Sequence, residues 1–137
     1  MHTDARRLAV FAAVTVIVVT SSLIPVPATP DQASPTDVLP PGSDKSAHAA
    51  GYAAVAYTMG RALPARWRRG GGAPPLVALA GVAAAATALG AGVEVAQGVV
   101  PGRDPSALDG VVNAVGAVVG ALAWRWRVDG AARADDA

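Results

Sequence analysis

An all-α, polytopic membrane protein with four transmembrane helices and both termini cytoplasmic is the fold class that this sequence predicts, and three observations lead to it. Apolar residues make up 53% of the chain and charged ones only 15%, against roughly 25% charged in a typical soluble domain. The apolar residues fall into four runs of helical length, at about 8–24, 47–63, 75–100 and 106–126. If each run crosses a membrane, nine of the eleven basic residues lie on one side, which the positive-inside rule makes the cytoplasmic one. The 137 residues leave room for a single domain, taken as 1–137, and the expected location is the plasma membrane.

Composition also excludes several classes of function. A net charge of +1 gives no basic face for nucleic acid. The absence of cysteine removes disulfides, thiolate metal sites and cysteine nucleophiles. Of the two histidines, His2 is near the N-terminus and His48 lies in a polar motif, which is too few for a dedicated transition-metal site. No cofactor is expected.

The first run, LAVFAAVTVIVVTSSLI, follows Arg6-Arg7 and carries no charge, and its seventeen residues are at the short end for a spanning helix. Arg6-Arg7, the apolar stretch and Val26-Pro27-Ala28 also fit a cleaved signal peptide, so a retained helix and a processed leader both stand. Prolines 25, 27, 30, 35 and 40 make residues 25–43 an extended outer loop. The second run is rich in alanine and carries Arg61 at its inner end, with Arg66, Trp67, Arg68, Arg69 and Gly70-Gly71-Gly72 beyond it. The third run, rich in Ala, Gly and Val, suits a helix surrounded by other helices, where small residues let backbones approach. After the Pro101-Gly102 break, Ser106 and Asp109 have the form of a capping box that opens the fourth run. Gly116 and Gly120 form a GxxxG face on it. Trp67, Trp124 and Trp126 fall at the cytoplasmic ends, where indoles sit among headgroups. Residues 128–137 read as a polar tail with nothing to fold around.

The outer face has a different composition. Lys45 and Arg103 are its only cations, set among Asp31, Asp37, Asp44, Glu94, Asp104 and Asp109. At about 1.5 Å per residue Glu94 lies roughly 27 Å from Leu76, near the outer edge of a hydrocarbon core about 30 Å thick. Asp44 and His48, Glu94 and Gln97, and Asp109 and Asn113 are three or four apart, so each pair shares a face of its own helix and the three pairs occupy one layer. Lys45 and Arg103 are expected to neutralise some of Asp44, Glu94 and Asp109. Glu94 is the stronger candidate for a general base, because a partly desolvated carboxyl is more basic than a solvated one. His48 is the second candidate. Arg103 has the geometry to clamp a phosphate or carboxylate. Asp31 and Asp104 read as solvated loop charges, and Tyr52 and Tyr57 as packing residues, with Tyr52 one turn from His48. A purely structural network of hydrogen bonds and ion pairs is the competing account of the whole layer.

The ordered motifs Asp44-Lys45-x-x-His48-x-x-x-Tyr52, Glu94-x-x-Gln97 and Pro101-x-Arg103-x-x-Ser106-x-x-Asp109-x-x-x-Asn113-x-x-Gly116 resemble the VanZ-like family of small multi-pass membrane proteins. That family is named after a glycopeptide-resistance accessory protein linked to teicoplanin. The resemblance covers residues 44–120 and departs in the alanine-rich second and third helices and the long proline-rich loop. It implies that Asp44, Lys45, His48, Glu94, Gln97, Arg103, Asp109 and Asn113 are signature positions, and it implies an association with the cell envelope and antibiotic resistance rather than a defined reaction.

The resulting expectation is a protein embedded among membrane lipids that acts on, or binds, a lipid-linked or cell-surface anionic group. Glu94, His48 and Asp109 are the candidate catalytic residues. Lys45, Arg103, Gln97, Asn113 and Asp44 are the candidate substrate-binding residues. A non-enzymatic scaffold or envelope-assembly partner is the alternative, and a proton or ion carrier is the third. Whether the chain is an enzyme stays open, as does its oligomeric state.

Overall fold

The computed structural model describes residues 2–25, 43–64, 67, 74–103 and 105–135, which form four helices in the order α1 His2–Ser22, α2 Ser43–Ala62, α3 Leu76–Gln97 and α4 Ala107–Asp135. There is no strand among the described residues. Most of the proline-rich segment 25–43, including Asp31 and Asp37, lies outside the described residues, as do Arg66, Arg68, Arg69, Gly70-Gly71-Gly72 and Asp104.

Each helix end departs from the expected one for a local reason. α1 starts at His2 instead of residue 8: Asp4 lies in its first turn, where a negative charge suits the helix dipole, and Arg7 Nη1 donates to Asp4 Oδ1 at 3.3 Å. It stops before Pro25, where the hydroxyls of Ser21 and Ser22 turn back onto the Val18 carbonyl at 3.0 and 2.8 Å. α2 starts at Ser43, with Asp44 in the first turn. This places Asp44 and Lys45 on the helix itself and not on the loop before it. α3 ends at Gln97 instead of residue 100, because the N–H groups of Gly98, Val99 and Val100 bond three residues back, to Val95, Ala96 and Gln97, which tightens the chain out of the α-helix. α4 runs on to Asp135, so the expected structureless tail is helical. Ala, Arg and Asp dominate this end, and Arg125 Nε lies 4.0 Å from Asp129 Oδ2 one turn further on.

α2 is the central helix, packing most extensively on α4 and also on α1 and α3. Glycine makes the closest approaches. A Cβ at Gly116 would fall on the Ala49 carbonyl oxygen, and one at Gly120 on that of Ala53, so the GxxxG face lets the α4 backbone touch the α2 backbone. At the other end Gly60 leaves room for the Trp124 indole, which sits against it. The core is built mainly of small side chains, with Val55, Ala56, Val82, Ala86, Ala117 and Ala121 around Trp124. Trp124 is only 1% exposed. It is therefore a core residue and not the headgroup anchor expected, because its side of α4 faces α2. Trp126, two residues on, faces outward.

Many large apolar side chains are nevertheless on the outside. Val16 and Ile17 of α1, Leu76, Val77 and Val95 of α3, and Val111, Val115 and Val119 of α4 are all exposed, while Glu94, Gln97 and Asn113 are buried. Exposed apolar surface on this scale marks a face meant for something other than water. Three helices are long and apolar enough to cross a membrane, Thr3–Ser22, Leu76–Gln97 and Ala107–Ala131, and they suggest a membrane protein. α2 is not one of them, although the sequence led us to expect four. Its alanines, hydroxyls and charges are matched by its position, since a helix lined by three others presents little surface to lipid.

Candidate functional site

The polar residues collect where the N-terminal turns of α2 and α4 meet the C-terminal turn of α3. Ser106 caps α4, its Oγ accepting the Asp109 N–H at 3.2 Å as an N-cap residue does. In a capping box the carboxyl at the third helical position would reach back to the N–H of the cap. Here Glu94 of α3 takes that place, its Oε2 accepting the Ser106 N–H at 3.1 Å. The Asp109 carboxylate is directed elsewhere, and Lys45 Nζ donates to its Oδ1 at 3.4 Å. Lys45 Nζ also lies 3.6 Å from Asp44 Oδ2. Asp44 and Lys45 are largely solvated, and Asp109 is more enclosed, with 19% of its side chain exposed. The N–H of Lys45 bonds to Asp44 and holds its carboxyl below the usual range, although partial burial opposes this. The negative charge of Asp109, and then that of Asp44, pushes the Lys45 ammonium above its ordinary value.

Beneath this surface cluster is a buried chain of hydrogen bonds. Asn113 Nδ2 donates to Glu94 Oε1 at 3.2 Å, and Asn113 Oδ1 is 3.1 Å from His48 Nδ1. An ionised carboxylate can only accept, so the amide nitrogen of Asn113 must face Glu94 and its oxygen must face His48. In the tautomer that donates from Nδ1 to this oxygen, Nε2 of His48 is the ring nitrogen left as an acceptor. Three helices contribute to this chain, His48 from α2, Glu94 from α3 and Asn113 from α4. Asn113 is 1% exposed and packs beside Gly90, where an added Cβ would come within 3.0 Å of its own Cβ. Tyr52 meets the same point, its Cε1 3.2 Å from that added Cβ. Its hydroxyl is buried and has no hydrogen-bond partner among the described residues.

Two of the expected site residues face another way. Gln97 Nε2 donates to the Ser22 carbonyl at 2.9 Å. Arg103 Nε donates to the Ile24 carbonyl at 3.0 Å, and its Nη2 to that of Ser21 at 3.4 Å. Both side chains therefore satisfy carbonyls at the C-terminal end of α1, which have no partner within the helix. A guanidinium at that end also opposes the helix dipole favourably. Among the described residues Arg103 pairs with none of Asp44, Glu94 and Asp109, because these carbonyls lie within its reach; Lys45 is the cation paired with Asp44 and Asp109. Glu94 and Gln97, three residues apart, also diverge, one towards α4 and the other towards α1.

Sequence reasoning missed the part played by Ser106 and the carbonyls of Ser21, Ser22 and Ile24. The Ser106-x-x-Asp109 spacing marked the cap but could not show that a third residue would complete it. Among the described residues no group of three or more His, Asp or Glu is placed to hold a metal ion. No protein-family model matches the chain, and neither a curated protein nor a solved structure matches it.

Proposed function

We propose that the chain is a four-span plasma-membrane protein of the VanZ-like kind, with both termini in the cytoplasm and the His48 layer at the outer face. In this reading it acts on, or binds, an anionic group of a lipid-linked or cell-envelope molecule. The observation that carries the reading is the chain from Glu94 through Asn113 to His48. It orients the imidazole, and in the tautomer that donates from Nδ1 it leaves Nε2 as the base in this reading. Lys45, in the first turn of α2 as Asp44 is, supplies the cation for an anionic partner. Asp109 and Asp44 position that ammonium. Glu94, with both oxygens already accepting, orients His48 and does not itself take a proton from substrate.

α1 is a retained helix in this account, because its C-terminal carbonyls are the partners of Gln97 and Arg103. The scaffold alternative is favoured by the same two contacts, which serve the bundle alone. The carrier alternative loses support because the core beyond Tyr52 is apolar among the described residues, with Val55, Ala56, Val82, Ala86, Ala117 and Ala121 in the path an ion would follow.

A deletion strain whose envelope lipids and polymers are profiled by mass spectrometry tests the reading. Wild type restores the profile, while His48→Gln and Lys45→Met do not, although both insert and melt normally. Full restoration by both variants removes the proposal, and loss of function that follows loss of stability favours the scaffold.

A further inference from the structure

The opposite end of the bundle carries a cleft that the outer layer does not explain. Between the first turns of α1 and the last turn of α2 is a cavity of ≈ 250 Å³ lined by Thr3, Arg6, Arg7, Val10, Thr58 and Arg61. The four α1 residues follow the spacing of one helical face, and Thr58 and Arg61 are three apart on α2. Two helices thus turn three guanidinium groups and two hydroxyl-bearing residues towards one space. The nearby carboxylate is Asp4, which accepts from Arg7 at 3.3 Å. Arg61 is held over the Tyr57 ring, its Cζ 5.8 Å from the centroid, a cation–π contact that leaves the charge in place.

Three guanidiniums gathered round one cavity repel one another, and a bound anion relieves that repulsion. Guanidiniums bind phosphate oxygens in pairs, and Thr3 lines the cavity beside them, while the Thr58 hydroxyl is committed to the Ala54 and Val55 carbonyls. Val10 lines the cavity and is itself exposed, so an apolar group has a surface to lie against beside the phosphate.

We propose that this cleft binds a phosphate-bearing anion, with the phosphate held by Arg6, Arg7 and Arg61. The shared chemistry is a phosphate group, whether it belongs to an anionic lipid headgroup or is free in solution. The proposal is independent of the function assigned to His48 and Lys45 and can fail separately from it.

The test is a binding titration of the full chain in neutral detergent with dioctanoyl phosphatidylglycerol, dioctanoyl phosphatidylcholine and inorganic phosphate. Arg6→Gln and Arg61→Gln are compared with wild type and with Arg127→Gln, which changes an arginine outside the cleft. Saturable binding of phosphatidylglycerol over phosphatidylcholine assigns the site to an anionic lipid. Equal binding of inorganic phosphate assigns it to the free ion. In either case affinity falls about fivefold for each cleft arginine replaced and is unchanged in Arg127→Gln. All variants are scored by affinity on protein that elutes as the wild type does, so misfolded material does not enter the comparison. Absence of saturable binding, or equal weakening by Arg127→Gln, overturns the proposal.

Discussion

Glu94 completes the cap of a helix it does not belong to: its Oε2 accepts the Ser106 N–H at 3.1 Å, while the Ser106 hydroxyl receives the Asp109 N–H. A capping box made within one chain segment would have held Asp109 in that role. Passing it to Glu94 couples the end of α3 to the start of α4 and leaves Asp109 free to meet Lys45. Buried at 8% exposure, Glu94 thereby supports the Lys45–Asp109 cluster from below.

The close approach of α4 to α2 sets the first prediction. Gly120→Ala gains about 1 kcal/mol of helix propensity, but the added methyl falls on the Ala53 carbonyl. Overpacking of this kind costs about 1–3 kcal/mol, and a backbone obstacle puts it at the upper end. Gly81→Ala meets nothing within 4 Å. Unfolding in mixed micelles should therefore show Gly120→Ala less stable than wild type and Gly81→Ala equal or more stable.

Arg103 and Gln97 tie down the end of α1, and this is open to a direct check. Gln97→Leu removes one buried hydrogen bond, worth about 0.6 kcal/mol on average between membrane helices and about 1.7 at most. Arg103→Ala removes two more exposed ones. Thiol labelling of Ser22→Cys should be faster in both backgrounds, with a larger increase in the double variant. Unchanged labelling would mean that these contacts do not hold the helix end.

Charge at the start of α2 sets a pH window. The Asp44 carboxyl is held below its usual range, so its contribution is present above its unfolded pKa of about 3.9 and is lost as pH falls through the lower folded value. The Lys45 ammonium is pushed up, so its contribution is full below about 10.4 and is lost as pH rises through the higher folded value. Melting temperatures of wild type and Asp44→Asn should differ by a constant amount from pH 5 to 9 and converge in acid. Because these groups are largely solvated, added salt should shrink the difference.

The helical class and the polar layer could be read from the chain because both rest on local pattern: long apolar runs, and polar residues spaced three or four apart near their ends. The capping of α4 by Ser106 was legible for the same reason. What could not be read is which partner each polar group would choose. Arg103 is the nearest cation to Glu94 in the sequence, yet it reaches the α1 carbonyls, because the α3–α4 turn places it beside α1. Trp124 had the position of a headgroup anchor by count, but whether an indole points in or out depends on the helix face, and Gly60 makes the inward pocket. The helical continuation through Arg127 and Asp129 was missed because polarity was taken for lack of structure, whereas the composition there favours a helix.

Reversing the polarity of the buried chain tests the account most directly. In Glu94→Gln the new amide keeps its oxygen on the Ser106 N–H and turns its nitrogen to Asn113, so the Asn113 amide and the His48 tautomer must both reverse or a buried donor is left unmatched at a cost of about 1–3 kcal/mol. Asn113→Asp sets two carboxyls face to face. Combining them restores every bond: the new amide accepts from Ser106 and donates to the new carboxylate, which accepts from His48 Nδ1. Measured as unfolding free energies in mixed micelles, each single variant should be destabilised and the double variant should recover most of the loss. If the double variant is destabilised by the sum of the two single effects, the hydrogen-bonded chain from Glu94 through Asn113 to His48 does not exist as described.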